Sequence, residues 1–154
     1  MSLRDVMVEE VITVKPDTKV KDAVKLMNEN EIGCLVVKKN GKPIGIITER
    51  DILKKIVYQS KNPEQVRVLE VMSEPLVVGK VDMDLEEAAR LMLKRNVKKL
   101  PIVEGEKLIG LITLTDIVRV NHVEDMLIEI IKQLRKDGWN PPKRMNKIIG
   151  IYIT

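Results

Sequence analysis

The apolar positions of this chain alternate between two spacings. Val20, Ala23, Val24 and Met27 recur at helical spacing, as do Leu85, Ala88, Ala89 and Met92, so each set predicts a helix with one buried face. Short β-branched runs follow both sets. They are Cys34 to Lys38 and Pro43 to Thr48 after the first, and Leu100 to Val103 and Leu108 to Thr113 after the second. Each pair flanks turn chemistry, Lys39-Asn40-Gly41-Lys42 or Glu104-Gly105-Glu106-Lys107, which predicts a hairpin. A brief extended stretch (Val11 to Val14; Leu76 to Val78) leads into each first helix, and a second helix starts near Glu49 or Leu114. Thr18 is the expected N-cap of the first helix, and Asp84 with Glu87 forms a capping box for its counterpart.

The order β-α-β-β-α occurs twice because the chain is a tandem duplication. A shift of 65 positions aligns the halves without a gap. Val6-Met7 falls on Val71-Met72, Leu26-Met27 on Leu91-Met92, Ile44-Gly45 on Ile109-Gly110, Ile47-Thr48 on Ile112-Thr113, and Asp51-Ile52 on Asp116-Ile117. The expected class is α/β in layers, with repeat 1 over 1–60, a polar linker over 61–65, repeat 2 over 66–122 and a C-terminal helix and tail over 123–154. In that last segment Val123, Met126, Leu127, Ile130, Ile131 and Leu134 form an apolar stripe that Gly138 can end. The basic Lys143-Arg144 and an edge-strand-like Ile148 to Thr154 follow.

Composition narrows the function classes. With 44% hydrophobic and 32% charged residues among 154, the chain can form a packed interior, which excludes a disordered protein. No apolar run approaches the roughly 20 residues of a membrane span. Met1 to Glu10 mixes charge signs without an apolar stretch, so the expected location is the cytoplasm. Cys34 and His122 are each the sole residue of their type, too few for a disulfide or a metal cluster, and neither has the partner constellation that a nucleophile needs. Cys34 reads as a small buried hydrophobe, His122 as structural and the methionines as core fillers. No Walker-type loop exists, so neither an enzyme nor a metal is expected. The net charge of +4, with no Phe, one Trp and two Tyr, suits small anionic ligands better than base stacking.

Candidate chemistry lies where each hairpin ends. Gly45-Ile46-Ile47-Thr48-Glu49-Arg50-Asp51-Ile52 recurs as Gly110-Leu111-Ile112-Thr113-Leu114-Thr115-Asp116-Ile117. A strand that ends on Thr and turns at once into a helix presents backbone N–H groups suited to phosphate. The Asp three residues on can accept both hydroxyls of a ribose. The plain alternative is that Thr is an N-cap and Asp its first-turn partner.

The repeat pattern, this Gly-x-x-Thr-x-x-Asp ending and the Met-x-x-x-x-x-x-Val/Thr opening resemble cystathionine-β-synthase (CBS) domains in tandem, of the stand-alone archaeal or bacterial type, over residues 1 to about 122. The resemblance implies a pseudo-two-fold pair with two clefts for AMP, ADP, ATP or S-adenosylmethionine, and no catalytic residues. One cleft would join Thr113, Thr115 and Asp116 to Thr13, Thr18, Gly33, Cys34 and Leu35. The other would join Thr48, Arg50 and Asp51 to Val78, Met83, Lys98, Lys99, Leu100 and Pro101, with the Lys pair on phosphate. Gly33-Cys34 carries no charge at the matching place, so the clefts are expected to differ in phosphate affinity. The resemblance also implies a homodimer packed through the repeat-ending helices (Ile52, Leu53, Ile56, Val57; Ile117, Val118, Val120), unless the last helix hides its own stripe. A protein target would read the ligand state. The competing class is a nucleic-acid-associated or purely structural module using Lys143, Arg144 and Lys147.

Overall fold

The computed structural model describes residues 1–120 and 123–142. His122, Lys143-Arg144, Lys147 and the stretch from Ile148 to Thr154 lie outside those residues. The first repeat gives β1 (Thr13–Val14), α1 (Val20–Asn30), β2 (Cys34–Lys39), β3 (Lys42–Thr48) and α2 (Glu49–Ile52), which continues as a π turn over Leu53–Val57. After the short α3 (Val68–Val71), the second gives β4 (Gly79–Lys80), α4 (Leu85–Lys94), β5 (Lys99–Glu104), β6 (Lys107–Thr113) and α5 (Leu114–Val118), and α6 spans Val123–Lys136. Among the described residues there are two three-stranded sheets, ordered β1-β2-β3 and β4-β5-β6, so the class is α/β as expected.

In each sheet the first pairing is parallel, and β2 with β3 is antiparallel. Lys39 pairs with Lys42 across Asn40 and Gly41, whose φ values of 52° and 79° make the two-residue turn that Asn-Gly favours. At the other end of this hairpin Cys34 pairs with Thr48, which sets Thr48 where the strand gives way to α2.

The folded units are not the sequence repeats. One unit comprises Met1–Glu9, Val77–Glu104 and the chain from Gly110 onward; the other comprises Glu10–Leu76 and Gly105–Ile109. Each therefore takes its opening segment from the other repeat. Ser73 bridges Ile46, with N–H to carbonyl distances of 2.8 and 3.3 Å, and Val8 bridges Leu111 at 2.9 Å in both directions. Beside these bridges Met72 packs over Gly45 and Met7 over Gly110. The core beneath β2 and β3 gathers Val20, Ala23 and Met27 of α1 with Leu35, Val37, Ile47, Ile56, Val68 and Val71. Burying such side chains contributes about 1.5–3 kcal/mol each.

Three local expectations change. Lys19, not Thr18, precedes α1, and no side chain caps it. Carbonyls of the linker and of the first residue after it do so instead: Val20 N–H donates to Val66 at 2.9 Å and Lys21 N–H to Pro63 at 3.0 Å. The second extended stretch moves from Leu76–Val78 to Gly79–Lys80. In the first sheet Val36 N–H donates to Ile12 at 3.3 Å; Pro101 holds the matching place in the second and has no N–H to give. Four residues of the α6 stripe, Leu127, Ile130, Ile131 and Leu134, are buried within their own unit, where α6 packs on α4 and α5. Trp139 Nε1 donates to Asn96 at 3.0 Å and fastens the chain just past this helix.

Candidate functional site

The two strand-to-helix junctions share one frame. Thr48 and Thr113 are the N-caps of α2 and α5. Thr48 Oγ1 accepts from Asp51 N–H at 3.2 Å and Thr113 Oγ1 from Asp116 N–H at 3.1 Å. In return Thr48 N–H donates to Asp51 Oδ2 at 3.0 Å and Thr113 N–H to Asp116 Oδ2 at 2.9 Å. The first helical N–H is also taken: Glu49 donates to Gly33 carbonyl at 3.0 Å and Leu114 to Lys98 carbonyl at 2.8 Å. The capping alternative is thus realised twice, and two of the first-turn N–H groups expected to face a phosphate are satisfied inside the protein. What each junction can still offer is side-chain chemistry.

That remainder differs between the copies. Asp51 is 7% exposed and its outer oxygen is occupied, accepting from Ser73 Oγ at 2.9 Å and lying 3.4 Å from Lys55 Nζ. Thr48 Oγ1 also donates to Asp51 Oδ2 at 3.1 Å. Asp116 is half-buried, and among the described residues nothing donates to its Oδ1. Shifting by 65 shows why, since Ser73 matches Val8 and Lys55 matches Val120, and neither valine can donate. Sequence reasoning missed Ser73 and Lys55. The signal lies in the mismatched pairs of the repeat alignment, Ser73 against Val8 and Lys55 against Val120.

The remaining expected site residues divide between the units. Gly33, Cys34, Leu35, Thr48, Arg50 and Asp51 share one unit with Thr13 and Thr18; Lys98, Lys99, Leu100, Pro101, Thr113, Thr115 and Asp116 share the other with Val78 and Met83. The Leu114–Lys98 bond ties the start of the basic pair to the Thr113–Asp116 junction of its own repeat; the grouping of that pair with Asp51 is what the resemblance implies. Leu35 and Leu100 are fully buried core side chains, so only their backbone could meet a ligand. Lys98, Lys99, Thr13, Val78 and Met83 are half-buried, whereas Arg50 and Thr115 are exposed. Cys34 is buried. A depression of about 980 Å³ contains Thr13 but no other expected ligand residue; Lys15, Lys38, Lys39 and Arg67 give it a basic rim. It lies at the turn end of the β2–β3 hairpin, opposite Thr48.

A doubled β-α-β-β-α unit that ends each copy on a Thr-Asp junction defines a tandem-repeat pair. The chain belongs to the CBS domain family, whose profile matches residues 3–58 and 68–123. An uncharacterized protein of Methanopyrus kandleri is 41% identical over 139 residues, covering 88% of this chain and 69% of its own length. The CBS domain-containing protein YhcV of Bacillus subtilis is 36% identical over 124 residues, covering 80% and 87%. The hexameric CBS-CP12 protein from bloom-forming cyanobacteria aligns with TM-score 0.75 at 29% identity, over 96% of this chain and 87% of that one. CBS pairs are regulatory ligand-sensing modules, CBS domains generally bind adenosine-containing ligands, and CBS proteins form oligomers. Among the described residues no three His, Cys, Asp or Glu side chains cluster as a metal site, and no helix is long and apolar enough to cross a membrane.

Proposed function

We propose that this protein is a non-catalytic cytoplasmic sensor that binds an adenosine-containing ligand, AMP, ADP, ATP or S-adenosylmethionine, at its Thr-x-x-Asp junctions. The observation that carries this reading is the junction itself, built twice with a Thr and an Asp oriented by reciprocal hydrogen bonds. A carboxylate held in place accepts from ribose hydroxyls at little further cost in side-chain entropy. The early-strand and second-strand residues named from the resemblance complete the ligand surroundings in this reading. Lys98 and Lys99 supply positive charge for a phosphate.

Self-association belongs to the same proposal. Leu53, Val57 and Tyr58 are 61, 62 and 86% exposed on the turn that continues α2, an apolar face suited to a second copy of the chain. The hexameric CBS-CP12 protein supports assembly among relatives. Calorimetric titration of the full chain with each of the four compounds tests the ligand reading. Saturable binding of at least one is expected; no heat from any of them at concentrations of about 1 mM would refute it.

A further inference from the structure

The two junctions carry the same Thr and Asp, yet among the described residues only one leaves a carboxylate oxygen and a hydroxyl proton uncommitted. At Asp51, Oδ2 receives Thr48 N–H and Thr48 Oγ1, while Oδ1 receives Ser73 Oγ at 2.9 Å with Lys55 Nζ 3.4 Å away. Lys55 is held there by a second bond, donating to Val71 carbonyl at 2.7 Å. At Asp116, Oδ2 receives Thr113 N–H, and among the described residues nothing donates to Oδ1 and Thr113 Oγ1 donates to nothing.

We propose that Ser73 and Lys55 act as a built-in lock that commits Asp51 to the protein, so that this chain takes one adenosine ligand, at the Thr113–Asp116 junction, and not two. The proposal rests on the adenosine reading above and adds which junction receives the ligand and which residues close the other. A ribose hydroxyl arriving at Asp51 would have to displace a hydroxyl donor and an ion-pair partner already in place around a buried carboxylate, which is costly because the displaced groups lose their partner even though Ser73 itself is exposed. At Asp116 it meets an oxygen to which none of the described residues donates. Ser73 reaches Asp51 because its backbone bridges Ile46 on the adjoining strand; Val8 makes the same bridge to Leu111 and brings only an isopropyl group. Lys55 sits one helical turn beyond Asp51, and Val120 holds that position after Asp116. Two substitutions thus separate a closed junction from a receptive one.

The test uses calorimetry and native mass spectrometry on the full chain with AMP, ADP, ATP and S-adenosylmethionine. The parent should bind one molecule per chain. Asp116→Ala should weaken binding roughly tenfold or more, and Asp51→Ala should leave affinity within about twofold. Ser73→Val with Lys55→Val should add a second binding event. Val8→Ser with Val120→Lys should weaken the first roughly tenfold, which keeps the test decisive if the former pair folds poorly. Two equal sites in the parent, or equal losses from Asp51→Ala and Asp116→Ala, would overturn the lock while leaving the adenosine reading intact. Binding of none of the four by the parent would overturn the adenosine reading and the single-ligand assignment together. Thermal melting then reports on the lock without ligand. Asp51→Asn should melt roughly 5 °C below Asp116→Asn, and equal melting points would remove the lock as well.

Discussion

Gly45 and Gly110 matter for what they lack. A Cβ on Gly45 would lie 2.6 Å from Met72 Sδ and 3.2 Å from Ser73 carbonyl, and one on Gly110 would collide with Met7. At Gly45 the methionine can swing aside but the bridged Ser73 carbonyl cannot, whereas the atoms nearest a Cβ on Gly110 all belong to the Met7 side chain. Gly45→Ala should therefore destabilise the protein by about 1–3 kcal/mol, seen as a lower urea midpoint with an unchanged slope, and Gly110→Ala by less. Gly41→Ala meets no atom within 4 Å, yet its φ of 79° makes a side chain costly, by about 1 kcal/mol. The recurrence of Gly and Met at matching places was legible in the sequence. That Met72 covers the other repeat's Gly was not, because a periodic pattern shows which residues are equivalent without showing which of two copies each one touches.

At the level of elements the hairpins and the helices α1 and α4 follow the apolar pattern closely, and Asp84 caps α4 as its spacing predicts, donating to and accepting from Glu87 at 2.9 and 2.8 Å. The start of α1 escaped because its caps are carbonyls more than forty residues away, which no local motif announces. The segment that supplies them is held by an ion pair, Lys21 Nζ to Glu64 Oε1 at 2.6 Å. The hydrogen bond from Lys21 lowers the Glu64 pKa below 4.5, and the same bond raises that of Lys21 above 10.5. A depressed carboxyl pKa contributes stability above its unfolded value and loses it as pH falls through the folded one; the raised Lys does the reverse at the alkaline end. Amide protection at Val20 and Lys21 should accordingly hold through neutral pH and drop below the normal Glu range. Because both groups are fully exposed, 0.5 M salt should reproduce part of that drop. Unchanged protection in acid would show that the carbonyl caps stand without the ion pair.

For the whole chain, the two apolar surfaces read as candidate interfaces have separate fates. The buried residues of the α6 stripe are spent inside their own unit, so Ile130→Glu should unfold the protein rather than dissociate it, at a cost of about 3 kcal/mol or more. Ile56 is buried as well and cannot report on assembly. Leu53 and Val57 can. Light scattering of the parent should give a mass above 17.6 kDa, and Leu53→Glu with Val57→Glu should return it to that value with little change in melting temperature. A parent already at the monomer mass would remove this face as an interface. The exchange of opening segments bears on how such a chain could arise. A single repeat, standing alone, has a bare sheet edge and a methionine-sized hollow above its glycine, and its own opening residues are set to fill the hollow of a twin. A one-repeat ancestor would have been complete only as an intertwined couple. Gene duplication with fusion turned that mutual dependence into a bond within one polypeptide, and left each copy free to drift at the positions, such as Ser73 and Val8, that a symmetrical couple had to keep alike.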